Sequence, residues 1–454
     1  MSKAYSIDMC NGSILPKLLR FAIPLMCSSI LQLLFNAADV VVVGQFCGDN
    51  SLAAVGSTTS LINLLTNLFI GLSVGANVLV ARYYGAKEKK HLHEVVHTAV
   101  ALSLISGVIL TVFGVVFTRQ ILVWMQTPTD VLDLATTYLR IYFAGMTATM
   151  LYNFCGSILR AVGDTKRPLY YLLFAGIINV ALNLFFIIVC DLNVAGVGLA
   201  TVISQFISAA LIVRCLVREQ APYRLFIKNI HLYTKYVGKI LQIGLPAGLQ
   251  GTVFSLSNVV IQSSINSFGS VVMAGNAAAG SVEGFVYMGM NAFHQAAVSF
   301  VSQNVGAGRF DRINKIAVRT MLCVFVTGLL MGNLAVLFGE QLLGFYSNEV
   351  DVIAVGMVRL RIVCGVYFLC GMMDVMVGVL RGLGYSVMPM IVSLVGACGL
   401  RLLWIFTIFQ IDAYHTPLML YLSYPVTWTI TVLVHVICFF VVRKRYPKEA
   451  IKAT

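Results

Sequence analysis

Charged residues are scarce in this chain. Only 11% of its 454 residues are Asp, Glu, Lys or Arg, whereas hydrophobic residues make up 59%. Soluble globular proteins usually carry about 25% charged residues. A soluble chain of this composition would have to expose large apolar surfaces to water, so the composition argues strongly against a soluble fold.

Motifs that define several other functional classes are also missing. The 11 cysteines are scattered without C-x-x-C spacing, and most lie inside apolar runs. This distribution argues against both a disulfide framework and a thiolate metal site. The chain contains no Walker A motif, so we do not expect it to use ATP on its own.

Long apolar stretches account for most of the chain. A helix that spans the hydrocarbon core needs about 20 mostly apolar residues. Twelve stretches qualify, at about residues 17–44, 52–81, 95–117, 134–159, 168–190, 194–217, 237–267, 273–303, 316–338, 353–380, 388–410 and 418–442. The sequence therefore predicts an all-α membrane protein with twelve transmembrane helices.

The basic residues indicate how these helices are oriented. With the N-terminus in the cytoplasm, 26 of the 31 Lys and Arg residues fall in cytoplasmic segments and only Arg119 falls in an outside loop. Cytoplasmic loops are enriched in Lys and Arg. This topology accounts for the net charge of +13 without a nucleic-acid partner. We predict a multi-pass protein of the inner (plasma) membrane with both termini in the cytoplasm.

The two halves of the chain repeat at an offset of about 221 residues. Pro24 matches Pro246, and Leu139-Arg140-Ile141 recurs as Leu360-Arg361-Ile362. Because six helices return the chain to its starting side, the copies are parallel and related by a pseudo-twofold axis along the membrane normal. We predict an N-terminal lobe (1–217), a cytoplasmic linker (218–235) and a C-terminal lobe (236–454). Such lobes suit alternating access around a shared cavity, although duplication could also provide only a stable scaffold.

Oxygen-bearing side chains cluster within the N-terminal spans. Intramembrane polar groups are expected to face the protein interior, and a carboxylate among amide and hydroxyl oxygens suits Na⁺ or H⁺. The alternative is hydrogen bonding between helices. Helical spacing aligns Gln32, Asn36 and Asp39 on the first span, Asn179 and Asn183 on the fifth, and Thr201 and Gln205 on the sixth.

The C-terminal spans carry a different set of ionisable residues. Arg401 falls near the middle of a span and needs a partner, for which Glu283 and Asp374 are the candidates. A fixed ion pair there could be purely structural, or the groups could shape a substrate site. The candidate substrate-cavity residues are Asn153, Gln205, Gln250, Asn258, Glu283, Asp374 and Arg401.

One segment suggests an enzyme instead. His93-Glu94-Val95-Val96-His97 fits H-E-x-x-H, in which two His residues bind zinc and the Glu acts as a base. No third ligand stands out elsewhere, and a solvated helix start beside the basic loop 87–90 accounts for the same residues. We do not expect an enzyme or a bound metal.

An ordered set of short motifs resembles the multidrug and toxic compound extrusion (MATE) transporters, and the resemblance covers essentially the whole chain. These motifs are Phe21-Ala22-Ile23-Pro24, Asn36-x-x-Asp39, Leu52-Ala53-Ala54-Val55-Gly56, Ala81-Arg82-Tyr83-Tyr84-Gly85-Ala86, Leu159-Arg160-Ala161-Val162-Gly163-Asp164-Thr165-Lys166-Arg167-Pro168 and Gln303-Asn304-Val305-Gly306-Ala307. The resemblance implies two six-helix lobes around a V-shaped central cavity.

The resemblance also implies functional residues. It carries a cation-site role onto Asp39, Asn179 and Thr201, and onto Asn183, where some members have an acid. Asp374 matches an acid in the tenth helix of one branch. The seventh-helix acid of that branch has no counterpart, because Phe254 and Ser255 occupy the region.

Together these features predict a secondary active antiporter, which we expect to act as a monomer in the lipid bilayer. It would export cationic or amphipathic small organic compounds, such as drugs, in exchange for H⁺ or Na⁺, without a cofactor. The cation would bind at Asp39, Asn179, Asn183 and Thr201, with support from Gln32 and Asn36. A flippase for a lipid-linked precursor, with a related superfamily architecture, is the alternative.

Overall fold

A computed structural model describes residues 5–447, except the side chains of residues 49, 57 and 60. Helices are the only regular secondary structure in this range. Each of the twelve predicted stretches coincides with one long helix or with consecutive shorter ones. The predicted all-α fold class is therefore confirmed.

Seven α-helices lie between residues 5 and 218. They are α1 (Ile14–Phe46), α2 (Asp49–Gly85), α3 (Lys89–Trp124), α4 (Thr129–Ala144), α5 (Met146–Ala161), α6 (Lys166–Leu184) and α7 (Asn193–Arg218). The helices α4 and α5 meet at Gly145 and together fill one predicted span. A π-helical turn, Phe185–Val189, continues α6.

Nine α-helices lie between residues 219 and 447. They are α8 (Thr234–Asn266), α9 (Ser270–Gly306), α10 (Ile313–Leu337), α11 (Gly339–Gly344), α12 (Val350–Val363), α13 (Phe368–Leu383), α14 (Val387–Ser393), α15 (Leu400–Phe406) and α16 (Pro417–Arg443). A π-helical segment, Leu394–Gly399, joins α14 to α15, so these three pieces fill one predicted span.

Length and hydropathy qualify most of these helices as membrane spans. Within residues 5–447, eight helical regions are long and apolar enough to cross a membrane, and a bent pair, Val350–Val366 with Phe368–Leu383, would be a ninth. The other three predicted spans are α4 with α5, which are 16 residues each, and the long helices α8 and α9.

The sequence repeat extends to helix boundaries and backbone conformation. Helices α2 and α9 both contain 37 residues, and their ends are 221 residues apart. Gly163 and Gly384 occupy equivalent positions after α5 and α13, and both have positive φ angles, of 93° and 100°. A side chain is strained in that conformation, which explains why both copies have glycine there.

The first compact unit comprises residues 5–8 and Cys27–Leu249. One of its hydrophobic cores includes Val95, Phe154 and Ile212. Within this unit α2 and the start of α8 approach so closely that a Cβ atom on Gly71 would lie 2.2 Å from the backbone nitrogen of Gly248.

The second compact unit comprises Met9–Met26 and residues 250–447. Helices α9, α10 and α13 pack against one another in this unit. The start of α1 belongs to this unit: Phe21 packs edge-on against Phe300 with ring centroids 5.6 Å apart. The boundaries between the units therefore fall inside α1 and α8, within three residues of Pro24 and Pro246.

Candidate cation-binding site

Asp39 lies in the second half of α1, within the first unit, and its side chain is only 8% exposed. The Asn183 amide donates a hydrogen bond to Oδ1 of Asp39 at 2.5 Å. The Thr201 hydroxyl donates to Oδ2 at 3.4 Å. Helices α1, α6 and α7 thus bring together three of the residues that the sequence analysis selected.

Asn179 completes the cluster. Its Oδ1 accepts a hydrogen bond from the Asn183 amide at 3.3 Å, and its Nδ2 donates to the Thr201 hydroxyl at 3.4 Å. The spacing of four residues places Asn179 and Asn183 on one face of α6, which packs against α7. We refer to Asp39, Asn179, Asn183 and Thr201 as the oxygen cluster.

The oxygen cluster is rich in acceptors and carries a negative group. Asp39 takes no part in the salt bridges found between residues 5 and 447. Oδ1 of Asn183 is buried and lacks a hydrogen-bond partner in the same range. Carboxylate and amide oxygens are hard ligands of the kind that alkali and alkaline-earth ions prefer. The cluster is therefore suited to a small cation or a proton.

The other predicted site residues of the N-terminal half do not take part in the hydrogen bonds described for the oxygen cluster. Gln32 and Asn36 are exposed on α1, and the hydrogen bonds to Asp39 come from α6 and α7 instead. Gln205 is half-buried one turn after Thr201. Asn153, also half-buried, donates to the Thr149 carbonyl of its own helix at 2.9 Å.

Two tyrosines near Asp39 were not selected from the sequence. Tyr138 and Tyr142, one turn apart on α4, lie within electrostatic range of its carboxylate. Tyrosines in an apolar stretch are typical of core packing. The sequence therefore does not predict that these two lie near the oxygen cluster.

The charged residues of the second unit pair differently from the prediction. Both oxygens of Glu283 accept hydrogen bonds from Arg359, at 2.6 Å each. Glu283 was one of two candidate partners of Arg401, and this prediction is wrong because Glu283 pairs with Arg359. Instead, the Arg401 guanidinium lies 3.9 Å from the centroid of the Tyr424 ring, where the π electrons stabilise its charge.

Two of the three remaining candidates of the second unit interact with Arg381. The Asp374 carboxyl lies within interaction range of Tyr287 and Arg381. Gln250 accepts a hydrogen bond from Arg381 at 2.8 Å. Arg381 therefore links Gln250 to Asp374. Asn258 is exposed on α8.

The H-E-x-x-H segment attaches the linker to α3. Nε2 of His97 accepts from the Phe226 backbone at 3.0 Å, and its Nδ1 faces the His93 carbonyl at 2.7 Å. Glu94 accepts from the Tyr236 hydroxyl at 2.7 Å. Between residues 5 and 447, no group of three His, Cys, Asp or Glu side chains is arranged to hold a metal.

Repeated membrane spans, with a buried oxygen cluster inside the first unit, are features of a membrane transporter. The MatE family model matches residues 24–185 and 246–407, once in each repeat. The chain therefore belongs to the MATE family, the multidrug and toxic compound extrusion transporters. This membership confirms the resemblance seen in the sequence and the expectation that the protein is not an enzyme.

Known proteins resemble the chain along most of its length. The probable multidrug resistance protein YoeA of Bacillus subtilis (strain 168) is 29% identical over 389 residues, which are 84% of each chain. The probable multidrug resistance protein NorM of Thermotoga maritima is 22% identical over 390 residues, 85% of this chain and 84% of that one.

Solved structures share the fold. A transporter of the MOP superfamily from Pyrococcus furiosus, reported with a binding pocket of reverse polarity, has a TM-score of 0.89. It is 21% identical, and the match covers 96% of this chain and 97% of that chain. An outward-facing multidrug resistance MATE transporter gives a TM-score of 0.88 with the same identity and coverage.

Proposed function

We propose that the protein is a secondary active efflux antiporter that exports cationic or amphipathic small organic compounds in exchange for H⁺ or Na⁺. The observation that carries this proposal is the oxygen cluster, in which a buried carboxylate has hydrogen-bond donors but no basic partner among the described residues. The names of the relatives, which include multidrug resistance and multidrug export proteins, support drug efflux as the activity.

Asp39 has the properties that coupling requires. A carboxylate that is paired permanently with Arg or Lys cannot exchange its counter-ion, whereas the hydrogen bonds to Asp39 come from a neutral amide and a hydroxyl. A proton would bind one carboxylate oxygen. A sodium ion would need several oxygens, and Asn183, Asn179 and Thr201 offer them. Both ions would use the same residues, so binding of either would neutralise the site.

The flippase alternative needs a cluster of free basic groups for a pyrophosphate. In the second unit the charge of Arg359 is balanced by Glu283, and Arg361 is exposed. Neither arginine therefore provides the free basic group in the substrate cavity that this alternative needs.

Reconstituted protein tests the proposal. Efflux of a cationic dye from proteoliposomes is measured with a pH gradient and a Na⁺ gradient imposed separately. Asp39→Asn should abolish gradient-driven efflux while the variant stays folded. Asp130→Asn, which removes an exposed acid at the start of α4, is the matched control and should retain efflux. Full efflux by Asp39→Asn would contradict the coupling role. Dye efflux that neither gradient drives would contradict antiport.

A further inference from the structure

A cleft lies in the second unit where α1 and α10 begin. It is lined by residues 12–16 and by Arg312, Lys315 and Arg319, and its volume is about 540 Å³. Small-molecule sites usually measure about 300–1,000 Å³. The cleft is thus large enough for a phosphate-bearing headgroup.

The lining of the cleft is strongly cationic. Lys315 and Arg319 are four residues apart on one face of α10, and Arg312 lies directly before the helix, so three positive charges line the cleft. The lining residues include no acid, and the adjacent Asp311 is engaged by Arg309 through bonds of 3.0 and 3.1 Å. Arg312 is also held at the cleft wall, where it donates to the Gly12 carbonyl at 2.9 Å.

In the first repeat, side chains occupy the position that corresponds to the cleft. At the offset of 221, Arg312, Lys315 and Arg319 correspond to His91, Glu94 and Thr98, respectively. At the offset of 222 that relates Pro24 to Pro246, Ile14 corresponds to Tyr236.

In the first unit, the side chain of Tyr236 occupies the position that corresponds to the cleft. Its hydroxyl lies 2.7 Å from Oε2 of Glu94 and 2.5 Å from Nδ1 of His91. Next to it, the Tyr233 backbone donates to the Thr98 hydroxyl at 3.3 Å. The second repeat lacks these contacts: Ile14 has neither a hydroxyl nor a ring, and Lys315 has the opposite charge to Glu94. An open basic cleft is the result.

Apolar surface flanks the cleft on both helices. On α1 the side chains of Leu15, Leu19 and Ile23 are exposed at four-residue spacing. On α10 the exposed side chains are Val318, Leu322 and Val326, again four residues apart. In a membrane-spanning chain such stripes contact lipid tails. A ligand with an anionic head and apolar tails would match both the cleft and its flanks.

We propose that this cleft binds the phosphate group of an anionic phospholipid, whose acyl chains lie along the exposed stripes of α1 and α10. Arg and Lys are the usual partners of phosphate oxygens, and basic pockets between helices on the cytoplasmic side recognise lipid headgroups. The first amide groups of α1 add to the positive potential. A soluble phosphate has the same head chemistry, but it would leave the apolar flanks unused. The proposal does not depend on the transported substrate.

Native mass spectrometry of the purified full-length protein tests this site. The protein is incubated with equimolar phosphatidylglycerol and phosphatidylcholine. Wild-type protein should retain phosphatidylglycerol preferentially, and the double variant Lys315→Gln/Arg319→Gln should lower that preference by about tenfold or more. The control Lys89→Gln/Lys90→Gln removes two exposed charges at the start of α3 and should preserve it.

A second variant tests the cleft without changing its charge. Ile14→Tyr introduces the side chain that closes the first repeat, and it should also reduce phosphatidylglycerol retention. Equal lipid preference in wild type and the Lys315→Gln/Arg319→Gln variant would overturn the proposal. Millimolar inorganic phosphate that displaces the lipid, and raises the unfolding temperature as much as the lipid does, would overturn the lipid assignment in favour of a soluble phosphate.

Discussion

Arg359 and Glu283 form a bidentate ion pair inside the second unit, with two parallel hydrogen bonds of 2.6 Å. A third bond runs from Arg359 to the Asn276 side chain, and the guanidinium lies 5.6 Å from the centroids of the Tyr421 and Tyr424 rings. Both charges are removed from solvent and satisfied by each other. The pair is therefore suited to join α9 to α12 rather than to bind a transported ion.

Removing one partner of this pair should destabilise the protein strongly. Glu283→Gln leaves the Arg359 charge buried without a counter-ion, and we expect a loss of about 3–5 kcal/mol in the free energy of unfolding. Equilibrium unfolding in detergent measures it. Glu340→Gln, at an exposed acid, should stay within about 0.5 kcal/mol of wild type. A Glu283→Gln variant as stable as wild type would show that the pair contributes no net stability.

A close backbone approach gives a second prediction. A Cβ atom on Gly248 would lie 2.2 Å from the Leu68 carbonyl oxygen, and backbone cannot move aside as a flexible side chain can. Gly248→Ala should therefore lower the unfolding temperature because α8 must separate from α2.

Gly238, on the same helix, is the matched control. It is exposed, and a Cβ atom added there would meet no described atom within 4 Å. Gly238→Ala should therefore stabilise α8 by about 0.5–1 kcal/mol, because alanine is the better helix former. Equal effects of the two substitutions would mean that helix propensity, rather than packing, determines the result.

How far the sequence predicts the structure depends on the range of the interaction. Long apolar stretches predict all twelve helical regions, because a membrane span must satisfy its own backbone hydrogen bonds. Spacing predicts that Asn179 and Asn183 share a face, because the helical period fixes it. Contacts between side chains of different helices cannot be predicted in this way. The partners of Arg401 and the position of Tyr138 depend on how helices rotate against one another, which periodicity does not determine.

The contacts of the H-E-x-x-H segment predict a structural role without metal. Purified protein should contain no stoichiometric zinc, and chelator treatment should leave its unfolding temperature unchanged. Tyr236→Phe should lower stability by about 1 kcal/mol, because Glu94 loses a hydrogen-bond donor. Tyr170→Phe, at an exposed tyrosine of α6, should have no effect. One equivalent of zinc by elemental analysis would contradict this interpretation.

Two amides of the predicted cation site, Asn183 and Asn36, should differ in their effect on coupling. Asn183 is fully buried and donates to Asp39, whereas Asn36 is exposed on α1. Asn183→Ala should therefore raise the Na⁺ or H⁺ concentration needed for half-maximal dye efflux in proteoliposomes. Asn36→Ala should leave that concentration unchanged, although both variants delete one amide from the same lobe. If Asn36→Ala weakened the ion dependence as much as Asn183→Ala, the cation would have to bind nearer the middle of α1 than the oxygen cluster. Coupling would then depend on the face that Asn36 shares with Asp39, and the hydrogen bond from α6 would serve packing alone.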